Sequence, residues 1–218
     1  MVAIGCQPSI KTYNTVVNGM CKIGKTNVAV GLLRRMEEVG CHPNVVTYST
    51  VIDGLCKDGQ VSEALDLFSK MTNKGISPNV VTYTSLIQGL CHSGQWNKAS
   101  TLLSEMLALN IAPSTFTFSI LVDALCKEGL APEAHALLET MAHRGIQPNV
   151  ITYSSLMDGY CLRKEMDKAR QVFDVMLGKG CRPNVYSYSM LINGFCKIGK
   201  VAYHRQGDMK LPNSFSRT

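Results

Sequence analysis

The sequence PNVVTYSTVIDGLCKDGQ, at residues 43–60, decides the fold because it recurs along the chain at a fixed interval. A near copy, PNVVTYTSLIQGLCHSGQ, begins at residue 78, and every copy opens with a proline. Successive opening prolines are 35 residues apart: Pro8, Pro43, Pro78, Pro113, Pro148 and Pro183. A fixed period of this length is typical of solenoid proteins, whose units bury apolar surface only against their neighbours.

Each unit predicts a pair of helices, as residues 45–79 illustrate. Apolar side chains recur at helical spacing after Pro43 and again in the second half of the unit. We expect Gly59 to close the first helix in a left-handed conformation and Ser62 to cap the second, with Glu63 in its first turn. Short connections make the two helices antiparallel. A small residue lets each second helix approach its neighbour closely: Ala29, Ala64, Ala99, Ala134 and Ala169.

We therefore predict an all-α chain, a right-handed α-solenoid superhelix of 35-residue helix–turn–helix repeats. The predicted full repeats are residues 10–44, 45–79, 80–114, 115–149 and 150–184. Residues 1–9 correspond to a partial repeat, residues 185–201 to a truncated repeat and residues 202–218 to a non-repeat tail. Met1 stands where Met36 stands in its repeat, so we expect a fragment of a longer protein or a start at an internal methionine.

Composition narrows the class of protein. Of the 218 residues, 45% are apolar and 17% are charged, which is typical of a folded chain. No apolar run approaches the roughly 18 residues of a membrane span, so we predict no membrane association. No targeting peptide is visible at the N-terminus. The net charge of +6 permits a polyanionic partner without requiring one.

The chain also lacks the common signatures of metal sites and enzymes. Its nine cysteines include no C-x-x-C pair, and its histidines show no metal-ligand spacing. Because the cysteines keep to fixed repeat positions, we expect reduced thiols that pack as small apolar residues. There is no P-loop, H-E-x-x-H or G-x-S-x-G motif. We therefore predict no catalytic residues, no metal site, no cofactor and no enzymatic activity.

Two adjacent positions in the first helix have different expected roles. The aromatic position is occupied by Tyr13, Tyr48, Tyr83, Phe118, Tyr153 and Tyr188. We expect these rings to pack in the core rather than to stack on bases. The next position is occupied by Asn14, Ser49, Thr84, Ser119, Ser154 and Ser189. It lies inside the helix, where capping does not explain such residues, so we expect an outward polar row that meets a partner.

Two further rows admit both a structural and a functional explanation. The post-proline row is Ser9, Asn44, Asn79, Ser114, Asn149 and Asn184, and these residue types are preferred N-caps. The lysine row is Lys22, Lys57, His92, Lys127, Leu162 and Lys197. Its lysines either end solvated helices, where they favour the helix dipole, or contact the phosphates of a nucleic acid.

The 35-residue period and the sequence VVTYSTVIDGLCKDGQVSEALDLFSKM resemble pentatricopeptide repeat proteins of the pure-repeat type. The resemblance extends from residue 1 to about residue 201. The recurrent GLCK is similar to the fertility-restorer-like members found in plant organelles. The resemblance implies binding of single-stranded RNA, with one base read by each repeat.

The resemblance also implies which residues contact the RNA. In the family, the post-aromatic residue and the last residue of the same repeat form a reading pair. The implied pairs are Asn14 with Asn44, Ser49 with Asn79, Thr84 with Ser114, Ser119 with Asn149, and Ser154 with Asn184. The second residue of each repeat is expected to sandwich the bases: Val46, Val81, Phe116 and Ile151, with Lys11 departing from the apolar pattern. The expected phosphate contacts are Lys22, Lys57, Lys127 and Lys197.

The chemistry of the reading pair predicts a base preference. A and C present a ring-nitrogen acceptor, which an asparagine can meet with a donor, whereas G and U present a ring N–H. In the family, Ser or Thr after the aromatic goes with a purine and Asn with a pyrimidine. The implied site is about 5′-C-A-R-A-A-3′, in which the base opposite Thr84 and Ser114 is the least defined.

Two other classes of function stay open from the sequence. A protein-interaction solenoid would carry diverse charged or aromatic side chains on its concave face, whereas two rows here are restricted to Asn, Ser and Thr. The other is a non-functional fragment of a longer RNA-binding protein. From the resemblance, we expect a role in organellar RNA processing or stability in the mitochondrion, with the chloroplast as the alternative, and protein partners besides RNA stay open.

Overall fold

The computed structural model describes residues 8–197, and within that range it consists of helices joined by short connections, without a strand. Each of the eleven helices has 13 residues. The first helices of the repeats are α1 (Ile10–Lys22), α3 (Val45–Lys57), α5 (Val80–His92), α7 (Thr115–Lys127), α9 (Val150–Leu162) and α11 (Val185–Lys197). The second helices are α2 (Thr26–Glu38), α4 (Val61–Asn73), α6 (Trp96–Ala108), α8 (Ala131–His143) and α10 (Met166–Gly178).

This architecture confirms the predicted all-α fold of helical hairpins. The first helices begin at the residues predicted to open each repeat, such as Val45 and Val80. The predicted tail, residues 202–218, and most of the predicted partial repeat, residues 1–9, lie outside the described residues.

The post-proline residues cap the first helices, which is one of the two roles that their sequence leaves open. Asn44 has an extended backbone, and its Oδ1 accepts hydrogen bonds from the backbone of Val46 at 3.1 Å and Thr47 at 3.2 Å. The Thr47 hydroxyl in turn accepts from the Asn44 backbone N–H at 3.3 Å, which completes a capping box. Such a cap is worth about 1 kcal/mol of helix stability.

The connection after each first helix requires a left-handed residue. Gly59 has φ of +76°, as predicted, and Gly24, Gly94 and Gly129 adopt similar values. Lys164 stands where a glycine stands in the other repeats, and the fold holds it at φ of +62°. A residue with a Cβ is strained there by about 1 kcal/mol.

The predicted cap of the second helix is wrong. Ser62 lies in the first turn of α4, which begins at Val61, and the N-cap residue is Gln60 without a side-chain hydrogen bond to the helix. The backbone N–H of Ala64 bonds to the Gln60 carbonyl, so the turn after Gly59 leads directly into the helix. The tight connection therefore sets the start of α4, and the preference of serine for the N-cap position does not predict it.

The contacts divide the chain into two compact units, one ending at Ala124 and the other beginning at Leu125. In the first unit, the rings of Tyr48, Tyr83 and Phe118 are fully buried, which confirms their packing role. The Tyr48 hydroxyl donates to Glu37 at 3.1 Å, and the Tyr83 hydroxyl donates to Glu105 at 2.6 Å. The two tyrosine rings therefore fill the core while their hydroxyls tie a first helix to a second helix.

The second unit is packed in a similar way, with buried apolar residues and a contact between aromatic rings. Ala134 and Ala169 are fully buried, as the small-residue row predicts, and Met176 is fully buried as well. Phe173 meets the ring of Tyr188 edge-on, with ring centroids 5.4 Å apart. The apolar faces of α9, α10 and α11 therefore pack together in this unit.

Cysteines of one repeat pack against glycines of the next. A Cβ on Gly89 would lie 2.8 Å from Cys56 Sγ in the first unit, and one on Gly159 would lie 2.6 Å from Cys126 Sγ in the second. The cysteines of residues 8–197 are all free thiols. Cys56 and Cys126 act as small packing residues between successive first helices, as expected from their fixed repeat position.

Candidate nucleic-acid interface

A large apolar side chain is exposed at the second position of the first helices. Val46 is 51% exposed, Val81 52% and Phe116 56% in the first unit, and Ile151 is 64% exposed in the second. Tyr186 continues the row in α11, whereas Lys11 replaces it in α1. Scattered exposed apolar residues are ordinary, but these recur at one helix position in successive repeats.

The caps leave an amide donor free beside these apolar side chains. The Asn79 Oδ1 accepts from the backbone of Val81 at 3.0 Å and Thr82 at 3.1 Å. Because its oxygen faces the helix backbone, the carboxamide turns its NH₂ group away from the helix. Capping and donation to a ligand are therefore compatible at this position, although the sequence sets them as alternatives.

The post-aromatic residues are less exposed than predicted. Ser49 is 3% exposed, Ser119 6% and Ser154 3%, whereas Asn14, Thr84 and Ser189 are half-buried. The expectation of an outward polar row is therefore wrong for the three serines. Ser49 and Ser154 face the following repeat of their own unit, because the first helices pack side by side and cover this position.

Four post-aromatic side chains are hydrogen-bonded across a repeat boundary. In the first unit, Asn14 meets Thr47 at 2.6 Å, Ser49 meets Thr82 at 2.7 Å and Thr84 meets Thr117 at 3.0 Å. In the second unit, Ser154 meets Ser187 at 3.0 Å. These bonds between repeats explain why a small polar residue occupies the post-aromatic position, which helix capping does not explain.

The same hydroxyl groups reach the post-proline residues, so each bridges a predicted reading pair. Thr47 Oγ1 lies 3.2 Å from Asn44 Oδ1, and Thr82 Oγ1 lies 3.1 Å from Asn79 Oδ1. Thr117 Oγ1 lies 3.0 Å from Ser114 Oγ. These residues were not predicted from the sequence, although each directly precedes the aromatic position of its repeat. The members of a pair belong to one repeat, and the bridge belongs to the next.

The lysine row lines clefts between successive first helices of the first unit. A cleft of about 420 Å³ between α1 and α3 is bordered by Lys22, Thr50, Asp53 and Lys57. The Lys57 ammonium forms a salt bridge of 2.5 Å with Asp53, whose other oxygen accepts from Ser85 at 2.9 Å. Lys57 therefore already has an anionic partner.

Lys22 differs from Lys57 in its charge environment. Asn18 stands at the position that Asp53 occupies in the next repeat. Within residues 8–197, the exposed Lys22 side chain has no ion pair. The Lys197 side chain lies outside the described part of the structure.

The described residues contain no group of three or more His, Cys, Asp or Glu side chains that would hold a metal ion. No helix in that part of the chain has the length and apolar character of a membrane span.

Comparison with known families identifies the fold. The model of the PPR repeat family matches residues 8–57, 43–92, 80–127, 121–162 and 155–197. This chain belongs to the pentatricopeptide repeat (PPR) family. No curated protein sequence matched it. The fertility-restorer-like subtype stays a prediction.

Solved PPR structures are similar to this chain. Maize PPR10 is 32% identical over 93% of this chain, with a TM-score of 0.69, and this chain covers 30% of that one. In PPR10 in complex with an 18-nt psaJ RNA element, the identity is 26% over 90% of this chain and 29% of that chain, with a TM-score of 0.69. This PPR chain thus spans less than one third of the length of PPR10.

A second similarity concerns the fold alone. The PPR domain of Arabidopsis thaliana protein-only RNase P 1, in complex with tRNA, has a TM-score of 0.72 at 16% identity. That match covers 83% of this chain and 95% of that domain.

Proposed function

We propose that this PPR chain binds single-stranded RNA, reads one base with each repeat and catalyses no reaction on it. The observation that carries the proposal is the exposed apolar row Val46, Val81, Phe116 and Ile151, each two residues after an asparagine or serine that caps its helix. The solved complex of maize PPR10 with an RNA element supports the class of ligand.

The apolar row supplies surfaces for the faces of the bases. Val46 and Val81 occupy equivalent places in successive repeats, each two residues after a capping asparagine. A base inserted between two such side chains removes apolar surface from water on both of its faces, which favours binding. The edge of the inserted base then points toward the reading pair at the helix N-terminus.

The orientation of the capping asparagine supports the predicted base preference. Because the Asn79 Oδ1 accepts from two backbone N–H groups, its NH₂ group is the part that a base edge meets. A donor matches the ring-nitrogen acceptor of A or C and opposes the ring N–H of G or U. We therefore propose the site 5′-C-A-R-A-A-3′. For Ser119 and Asn149, which belong to different units, the assignment rests on sequence position alone.

The lysine row supplies phosphate contacts of unequal strength. Lys22 is exposed and has no ion pair within the described residues, so it binds a phosphate without losing a partner. Lys57 exchanges Asp53 for a phosphate, which reduces its net contribution. We assign the same role to Lys127 and Lys197. Binding weakens as salt rises, since these contacts release counterions from the RNA.

The biological setting is proposed from the family resemblance. We propose organellar RNA processing or stability in the mitochondrion, with the chloroplast as the alternative. Since no catalytic group is assigned, the chain acts by occupying its site, which blocks a nuclease, remodels a hairpin or recruits a partner.

Direct RNA binding tests the proposal. The purified chain is titrated with RNA CAAAA, RNA GUUGG and a DNA copy of the first, at low and moderate salt. We expect preference for CAAAA RNA, which stays intact. Val81→Ala should weaken binding, whereas Val28→Ala, at an equally exposed valine of α2, should not. Equal, salt-sensitive binding of all three probes contradicts base reading, and absence of binding by the folded chain favours a protein-interaction solenoid or a non-functional fragment.

A further inference from the structure

We propose that the bridging hydroxyl of Thr47, Thr82, Thr117 and Ser187 is a third, positioning member of the reading pair that it joins. The inference rests on the proposed function, because it concerns how the pair presents its polar atoms to a base. Each of these four side chains has 0% exposure. None of them touches the base itself in this account, so each acts through the two residues that it holds.

The Thr47 hydroxyl has one proton and three polar neighbours. It accepts from the Asn44 backbone N–H at 3.3 Å and lies 2.6 Å from Asn14 Oδ1 and 3.2 Å from Asn44 Oδ1. The Asn44 Oδ1 already accepts from two backbone N–H groups. The proton of Thr47 therefore goes to Asn14, which has the shorter contact and the free acceptor.

This bond fixes the orientation of the Asn14 carboxamide. With its Oδ1 bound to Thr47, Asn14 turns its NH₂ group away from the bridge and presents donors only. Both pyrimidines carry the O2 acceptor beside ring position 3, whereas adenine has C–H and guanine has NH₂ at the corresponding place. An outward donor therefore selects pyrimidines over purines without separating C from U, and Asn44 makes that second choice.

The bridge controls polarity differently at a serine. Thr82 Oγ1 lies 2.7 Å from Ser49 Oγ and 3.1 Å from Asn79 Oδ1. When Thr82 donates its proton to Ser49, the Ser49 hydroxyl proton is free to donate to the base. When Thr82 instead donates to Asn79, Ser49 must donate to Thr82, and it presents only its lone pairs to the base. The single proton of Thr82 thus couples the polarity of Ser49 to the hydrogen bonding of Asn79.

Removing the bridging hydroxyl should preserve the fold and weaken base selection. Valine has nearly the shape of threonine, so Thr82→Val keeps the buried volume but removes the hydroxyl that bonds to Ser49 and to the Asn79 backbone N–H. Serine keeps the hydroxyl, as Ser187 does naturally between Ser154 and Asn184. Thr82→Ser should therefore preserve base selection.

The test measures dissociation constants for four RNAs that differ only at the second base of CNAAA, opposite Ser49 and Asn79. We expect Thr82→Val to reduce the preference for A at this base by about five- to tenfold and to leave selection at the other bases unchanged. Tyr83→Phe is the matched control: it removes one largely buried hydrogen bond of the same helix, to Glu105, without touching the pair. It should lower thermal stability and keep the preference.

The outcomes separate this inference from the proposed function. If the unmodified chain shows no base preference, the reading pairs fail and the inference fails with them. If the unmodified chain prefers A and Thr82→Val retains that preference within twofold, only the positioning role is overturned. Should Thr82→Val not fold, Thr47→Val provides the same test at Asn14 and Asn44, with loss of pyrimidine selection at the first base as the expected result.

Discussion

Gly89 packs so closely against Cys56 that a Cβ on the glycine would lie 2.8 Å from both Cβ and Sγ of the cysteine. Real Cβ atoms essentially never approach so closely, and the contact joins two successive repeats. The same relationship recurs between Gly54 and Cys21. The spacing between first helices is therefore set by a glycine on one side and a small thiol on the other.

Gly89→Ala should destabilise the chain by about 1–2 kcal/mol, because overpacking outweighs the gain in helix propensity. Ala124 occupies the corresponding position of the next repeat, so the stack can adjust by a small shift rather than unfold. Gly31→Ala, in a helix with no atom within 4 Å of the added Cβ, should instead stabilise by up to about 1 kcal/mol. Urea unfolding compares the two, and equal stability changes would refute the packing argument.

Lys164→Gly should stabilise the chain by about 1 kcal/mol, because Lys164 is held at φ of +62°, where glycine is unstrained. Lys179→Gly removes a lysine at a helix C-cap with φ of −86° and should give no gain. Thermal unfolding of both variants distinguishes relief of backbone strain from loss of a charge. A lower melting temperature for Lys164→Gly would contradict this account.

Cys56 should resist alkylation in the folded chain. Burial, and then the nearby charge of Asp53, raise the pKa of its thiol to about 12, so little thiolate forms at neutral pH. Cys196 is exposed in α11. Mass spectrometry after brief treatment with iodoacetamide should find Cys196 modified well before Cys56, and both modified in urea. Equal rates without denaturant would show that the repeat boundary opens readily.

Glu37 should make stability depend on acid pH. Its partial burial opposes ionisation, but hydrogen bonds from Lys74 and Tyr48 and the charge of Lys70 outweigh it and lower its pKa. A lowered folded-state pKa gives stability that is present above the unfolded pKa and lost as pH falls through the folded value. The melting temperature of the unmodified chain should fall between roughly pH 6 and pH 3, and Glu37→Gln should make this decrease smaller. The control variant Glu38→Gln, at an exposed position, should leave the decrease as it is in the unmodified chain.

Local features of the fold were predictable, because they depend on residues close in sequence. The 35-residue period predicts the hairpins, and a post-proline Asn44 or Asn79 predicts a cap that the structure contains. The burial of Ser49 was not predicted, since it depends on the neighbouring repeat. Its partner Thr82 is 33 residues away, and helix periodicity within one repeat does not reveal such a contact.

The charge pairing in the candidate interface was likewise not predicted from the sequence. A lysine row suggests uniform phosphate contacts, yet Lys57 is paired with Asp53 and Lys22 faces Asn18 at the corresponding position. Comparing the fourth residue before each lysine would have revealed this difference, because residues four apart are neighbours on a helix. The resemblance supplied the reading pairs, but only the structure relates them to the bridging hydroxyls.

The most direct test of the central claim is the base preference of Asn79→Asp at the second base of CNAAA. Aspartate is an equally good N-cap, so the variant should fold with unchanged stability, which thermal unfolding checks. Because a carboxylate only accepts hydrogen bonds, the preference should move from A to G, with selection at the other bases retained. A folded variant that still prefers A would contradict base reading by these pairs, and so would an unmodified chain that binds A and G equally.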